Sequence, residues 1–94
     1  MTMKTKNRSL VQEKTIRTCR DAPLELRYYR LSEEAPDGTI RYGAAIEAVC
    51  EGARTFEELP DITLSREEID RLLQTLARGT VTPVSLREVV EDLL

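Results

Sequence analysis

Acidic side chains fall repeatedly in adjacent pairs in this sequence: Glu33/Glu34, Glu57/Glu58, Glu67/Glu68 with Asp70, and Glu91/Asp92. Two carboxylates facing each other across a cleft do acid/base work or hold a hard cation. Neighbouring acids on one strand or helix point in different directions, so pairing in sequence is not pairing in space. The plainer reading of each pair is solvated surface. Asp37-Gly38 lacks the other ligand positions of an EF-hand loop, and no GxGxxG, P-loop or GxSxG motif is present. Histidine is absent, which removes the commonest general base, the commonest metal ligand and the side chain that switches near neutral pH. Cys19 and Cys50 belong to no CxxC and read as two free, partly buried thiols in a reducing compartment. Ser65 and Ser85 sit at helix-capping positions and need no nucleophilic role. The expectation is therefore no enzyme, no metal and no cofactor, and no small molecule is implied.

The basic residues offer a different chemistry. Lys4, Lys6, Arg8, Lys14, Arg17 and Arg20 crowd the front of the chain. Residues 1–30 carry eight Lys/Arg against three acids, a balance of +5; residues 31–94 carry six against fourteen, a balance of −8, and the whole is −3. A basic front and an acidic back attract each other within a molecule or between two copies. The six basic residues are also the candidates for an electrostatic nucleic-acid contact. Tryptophan is absent and there is one phenylalanine, so surfaces on which bases stack are scarce. Met1 to Ser9 is polar and basic with no apolar run of signal-peptide length behind it. No stretch approaches the roughly 20 apolar residues of a membrane helix. The expected location is the cytoplasm.

These residues are positioned by elements that can be read from the text. Ninety-four residues, one-third charged and 40% apolar, make one globular domain. Residues 1–8 read as a disordered basic tail and 9–94 as the domain. Ser9 to Arg20 is β-rich but alternates poorly. Leu24 to Glu34 and Thr39 to Cys50 are strands joined by Ala35-Pro36-Asp37-Gly38, a hairpin loop with the left-handed position filled by Gly. The three-residue form of that loop places Glu33 opposite Arg41 and Arg27 opposite Glu47. It also places Tyr28, Leu26 and Leu24 opposite Ile46, Ala48 and Cys50. A two-residue Asp37-Gly38 turn would set Tyr28 against Glu47 instead, so the first register is preferred. Ile40, Tyr42, Ala44, Ile46, Ala48 and Cys50 then form the core face. Tyr29, Leu31, Gly43, Ala45 and Val49 fall on the other. Ala53 to Leu59 makes a further strand with Phe56 inward, and Pro60 ends it.

Two S-x-x-E capping boxes follow, Ser65-Arg66-Glu67-Glu68 and Ser85-Leu86-Arg87-Glu88, each flanked by a hydrophobic staple, Leu64 with Ile69 and Val84 with Val89. Ile69, Leu72, Leu73, Leu76 and Ala77 form one apolar stripe, with Gly79 as its C′ stop. Leu86, Val89, Val90, Leu93 and Leu94 form another. Thr82-Pro83 is an alternative start for the second helix. Glu88, Glu91 and Asp92 repel phosphates, which argues against a DNA-reading helix pair.

Tyr28-Tyr29-Arg30-Leu31, Tyr42-Gly43, Asp61-Ile62 with the helix of Leu72, Leu73 and Leu76, and the terminal Val81-Thr82-Pro83-Val84-Ser85-Leu86-Arg87-Glu88-Val89-Val90-Glu91-Asp92-Leu93-Leu94 together resemble a family of small uncharacterised proteins from Gram-positive bacteria, a domain of unknown function. The resemblance covers roughly residues 24–94. It implies a compact α+β domain and carries over no activity, cofactor or catalytic residue.

The fold expected is α+β: an antiparallel meander of three to four strands followed by two C-terminal helices packed on one face. The function expected is a non-enzymatic module that binds a protein partner or a second copy of itself. Tyr29, Leu31, Gly43 and Ala45 are the candidate contact residues, because they make an apolar sheet face with no element left to cover it.

Overall fold

The connection from Ala35 to Thr39 sets the register of the sheet. The Ala35 amide donates to the Thr39 carbonyl (2.8 Å) and the Gly38 amide to the Ala35 carbonyl (2.9 Å). Gly38 takes φ 87°, the left-handed step that closes a three-residue loop without steric cost. The Asp37 carboxylate accepts the Thr39 amide (2.9 Å), and that bond holds its carboxyl below the ordinary range. In the computed structural model, which describes residues 5–18 and 21–93, this loop joins β2 (Pro23–Glu34) to β3 (Ile40–Cys50). The pairs are those expected: Leu24 with Cys50, Leu26 with Ala48, Arg27 with Glu47, Tyr28 with Ile46 and Glu33 with Arg41.

Glu51 and Gly52 follow with φ 51° and 83°. Two positive φ values make the mirror-image turn whose twist suits a hairpin, and β4 (Ala53–Thr63) returns along β3. With β1 (Thr5–Arg17) beside β2, the sheet is a four-stranded antiparallel meander, β1-β2-β3-β4.

Both outer strands differ from the sequence reading. β1 begins at Thr5, within the stretch read as a tail, and ends at Arg17. Its weak alternation has a cause. Leu10 pairs with Tyr29 and Gln12 with Tyr28, so Val11 is an extra residue, a bulge that flips the parity of everything before it. β4 does not stop at Pro60. Tyr42 pairs with Thr63 and Ala44 with Leu59, so Pro60, Asp61 and Ile62 bow outward opposite Gly43. A bulge on an outer strand needs no amide from Pro60. A Cβ at Gly43 would run into the Leu59 carbonyl oxygen, so glycine leaves room for the bow.

The helices are α1 (Arg66–Arg78) and α2 (Leu86–Leu93), the second introduced by a 3₁₀ turn at Pro83–Ser85. Ser65 caps α1 by accepting the Glu68 amide (3.2 Å). The returning half of the box is rerouted: the Ser65 amide donates to the Thr63 hydroxyl (3.1 Å), which donates to the Glu68 carboxylate (2.8 Å). The second box does not form. Thr82 precedes the turn, Pro83 is its first residue, and the Ser85 amide donates to the Thr82 carbonyl (3.1 Å). The chain therefore turns at Pro83 in a 3₁₀ turn, and the α-helix itself starts at Leu86. Neither staple closes, since Leu64 is 63% and Val84 86% exposed. The left-handed residue after α1 is Thr80 (φ 53°) rather than Gly79. The Thr80 and Val81 amides return to the carbonyls of Ala77 and Leu76, a Schellman closure.

The core is a single cluster. Leu26 and Tyr28 from β2 and Ala44, Ile46 and Ala48 from β3 meet Ile69, Leu73, Leu76 and Ala77 from α1 and Val81, Leu86 and Val90 beyond it. Polar ties run beside it. The Tyr28 hydroxyl donates to the Val81 carbonyl (2.9 Å), Lys14 donates to the Ala77 carbonyl and the Thr80 hydroxyl (2.9 Å each), and Arg30 meets Asp70 (2.9 Å). Among the described residues no helix is long and apolar enough to cross a membrane.

Candidate functional site

Pleating sends alternate side chains to opposite faces, and cross-strand pairs share a face. The pairs therefore define the second face row by row. Lys6, Glu33 and Arg41 form one row, Arg8, Leu31 and Gly43 the next. Leu10, Tyr29, Ala45 and Glu58 follow, then Glu13, Arg27, Glu47 and Phe56, then Thr15, Glu25, Val49 and Arg54. Phe56 thus lies on this face and not inward as expected. The two-residue Glu51-Gly52 turn pairs Ala53 with Cys50, which brings Phe56 opposite Glu47.

The four candidate contact residues are together on this face but play unequal parts. Ala45 is 0% exposed and Gly43 is also buried, so they form a floor. Tyr29 and Leu31 are half-buried. The Arg8 guanidinium reaches over the rings of Tyr29 and Phe56, 5.0 and 5.2 Å from their centroids, a cation–π arrangement. Arg54 approaches the same Phe56 ring at 5.9 Å. Leu10 stands 51% exposed beside them. A groove of about 450 Å³ runs along Lys6, Arg8, Leu31, Gly43, Glu58 and Pro60.

One half of the face is electrostatic. Arg27 donates to Glu47 (2.9 Å) and Glu13 (3.3 Å), and Arg54 pairs with the other Glu47 oxygen. The Arg27 hydrogen bond, the largest influence, holds the nearly buried Glu47 carboxyl below its ordinary range. Arg41 turns to Asp61 (3.6 Å) across the β4 bow.

The basic residues do not make one stripe. Lys4 and Arg20 lie outside the described residues. The bulge at Val11 divides the rest: Lys6, Arg8 and Arg17 share the second face, whereas Lys14 points at the end of α1. Arg17 lies 3.3 Å from Asp21. Leu10, Phe56 and the placement of Arg8 were not legible beforehand. For β1 the signal was the broken alternation, which marks a parity change without locating it; for Phe56 it was the Glu51-Gly52 turn, whose two-residue form sets Phe56 opposite Glu47.

A family model described as "Family of unknown function (DUF6514)" matches residues 7–94. The chain belongs to that family. The match takes in β1, so the DUF6514 domain extends well in front of the resemblance read from residues 24–94. No curated protein and no solved structure matches the DUF6514 chain.

Proposed function

We propose that this DUF6514 chain is a non-enzymatic interaction module that binds a protein partner or a second copy of itself through the second sheet face. In this reading both helices occupy the other face, and the setting is the cytoplasm of a bacterium. The observation that carries the reading is the strip of Leu10, Tyr29, Leu31 and Phe56 around Arg8. It combines exposed apolar carbon with aromatic rings and an arginine, the composition enriched in contact surfaces. Tyr29 and Leu31 are the contact residues in this reading, with Gly43 and Ala45 shaping the floor beneath them.

Light scattering at micromolar concentration, with Leu31→Asp beside the unaltered chain and a tagged pull-down from the native host, tests it. Loss of association or of capture in Leu31→Asp supports the reading. A monomer that captures nothing, with Leu31→Asp indistinguishable from it, sinks it. Nucleic-acid contact is the second reading, favoured by the exposure of Lys6 and Arg8 on β1. It expects binding that weakens steeply with salt, and no gel shift at low salt removes it.

A further inference from the structure

Among the described residues the sheet has two open edges: β1 and β4 each have one neighbour, and both are exposed along most of their length. Such edges template pairing with another strand unless something opposes it. Here the edges differ in sign. β1 carries Lys6, Arg8, Lys14 and Arg17 against Glu13, whereas β4 carries Glu57, Glu58 and Asp61 against Arg54.

The phase of the hydrogen bonds decides which residues present their backbone outward. The Ala35-to-Thr39 bond makes the odd-numbered residues of β2 face β3, so the even-numbered ones face β1. Carried across the pairings, the outward backbone groups on β1 belong to Lys6, Arg8, Leu10 and, past the bulge, Glu13. On β4 they belong to Arg54, Phe56 and Glu58. All of these side chains lie on the second face. In a four-stranded meander the first and last strands run oppositely. A second copy in the same orientation therefore brings its β1 antiparallel to β4.

We propose that a second copy of the chain adds its β1 to β4, head to tail, with Arg8 opposite Glu58, Leu10 opposite Phe56 and Glu13 opposite Arg54. This register joins two opposite-charge pairs around one apolar pair. Sliding β1 by two residues one way leaves Leu10 against Arg54. Sliding it the other way leaves Leu10 against Glu58 and Arg8 against Pro60, which has no amide to give. Pro60 also ends the ladder, so the contact is short and its association is concentration-dependent. The inference goes beyond the proposed function: it adds a contact between copies at the sheet edges, distinct from the one on the face.

Sedimentation velocity on the full chain, from low micromolar to near-millimolar concentration, tests it. The unaltered chain is expected to grow with concentration past dimer, because a head-to-tail contact does not close. Arg8→Glu and Glu58→Arg, both at exposed positions and checked for folding by circular dichroism, are each expected to weaken association by about tenfold or more through like-charge contact. The double variant, and an equal mixture of the two single variants, should associate like the original. Leu31→Asp, beside Arg8 but outside the edge ladder, should weaken this association less than Glu58→Arg does. A chain that stays monomeric throughout overturns the inference. So does a Glu58→Arg variant that still associates, which would indicate β1 pairing with β1, or association abolished by Leu31→Asp, which would return the contact to the face. Failure of the mixture to restore growth overturns it as well.

Discussion

Tyr28 is the largest fully buried side chain, and its hydroxyl donates to the Val81 carbonyl at 2.9 Å. Burial raises its pKa from 10.0 to about 12. Because the folded value lies above the unfolded one, the stabilisation is complete below pH 10 and is lost as pH rises towards 12. It is on the order of 2–3 kcal/mol. Glu47 acts at the other end. Its hydrogen bond from Arg27 lowers its pKa from 4.5, so its contribution is present above that value and fades as pH falls through the depressed one. Denaturant melts across pH should therefore show a plateau with a fall on each side. Tyr28→Phe is expected to flatten the alkaline fall while costing about 1–3 kcal/mol at neutral pH, because the buried Val81 carbonyl loses its partner. Glu47→Gln is expected to soften the acid fall. Membership of Tyr28 in the core face followed from alternation along β2 and β3. Its bond to Val81 did not, since only tertiary packing brings the end of α1 over β2.

At the scale of elements, the two serines that look equivalent in sequence are not equivalent in the fold. Ser65 accepts a helical amide and Ser85 lies inside a turn started by Pro83. Ser65→Ala is expected to cost about 1 kcal/mol and Ser85→Ala to stay within about 0.5 kcal/mol, read as a shift in denaturation midpoint. The S-x-x-E pattern names a local possibility. Thr82-Pro83, with φ preset at Pro83, starts a 3₁₀ turn that takes up Ser85, so α2 begins at Leu86 without a serine cap. β4 gives the complementary lesson. Pro60 reads as a stop, yet the strand passes through it because an outer strand can bow where glycine lies opposite. Gly43→Ala places a methyl against the Leu59 carbonyl, and neither backbone can easily yield. It is expected to destabilise by about 1–3 kcal/mol or more, with amide exchange in β4 rising more than in β2. The β2–β3 hairpin was legible to the residue because its turn chemistry and its cross-strand charges agree. β1 was not, because one inserted residue at Val11 inverts its parity and erases the alternation from which faces are read.

Over the whole molecule, the division of charge between front and back becomes a division between two edges of one sheet, and Leu10, Tyr29, Leu31 and Phe56 share one face of it. The two positions of contact, face and edge, make different demands. Leu31→Asp disturbs the first and Glu58→Arg the second, whereas Arg8 belongs to both, so Glu58→Arg and its mixture with Arg8→Glu separate them. The sequence by itself determined the hairpin register, the α1 cap, the apolar stripe of α1 and the shared face of Tyr29, Leu31, Gly43 and Ala45. Each of these depends on neighbours in the chain or on a single turn. Of the second stripe, Leu86 and Val90 are buried, Leu93 is exposed and Leu94 lies outside the described residues. Only the tertiary structure decided that Gly43 and Ala45 are floor rather than surface. It also decided that Arg8 lies across Tyr29 and Phe56, and that Lys14 serves the end of α1 rather than a basic stripe. Those outcomes depend on bulges and on strands far apart in sequence meeting side by side, and period-two alternation carries no record of where such a slip occurs.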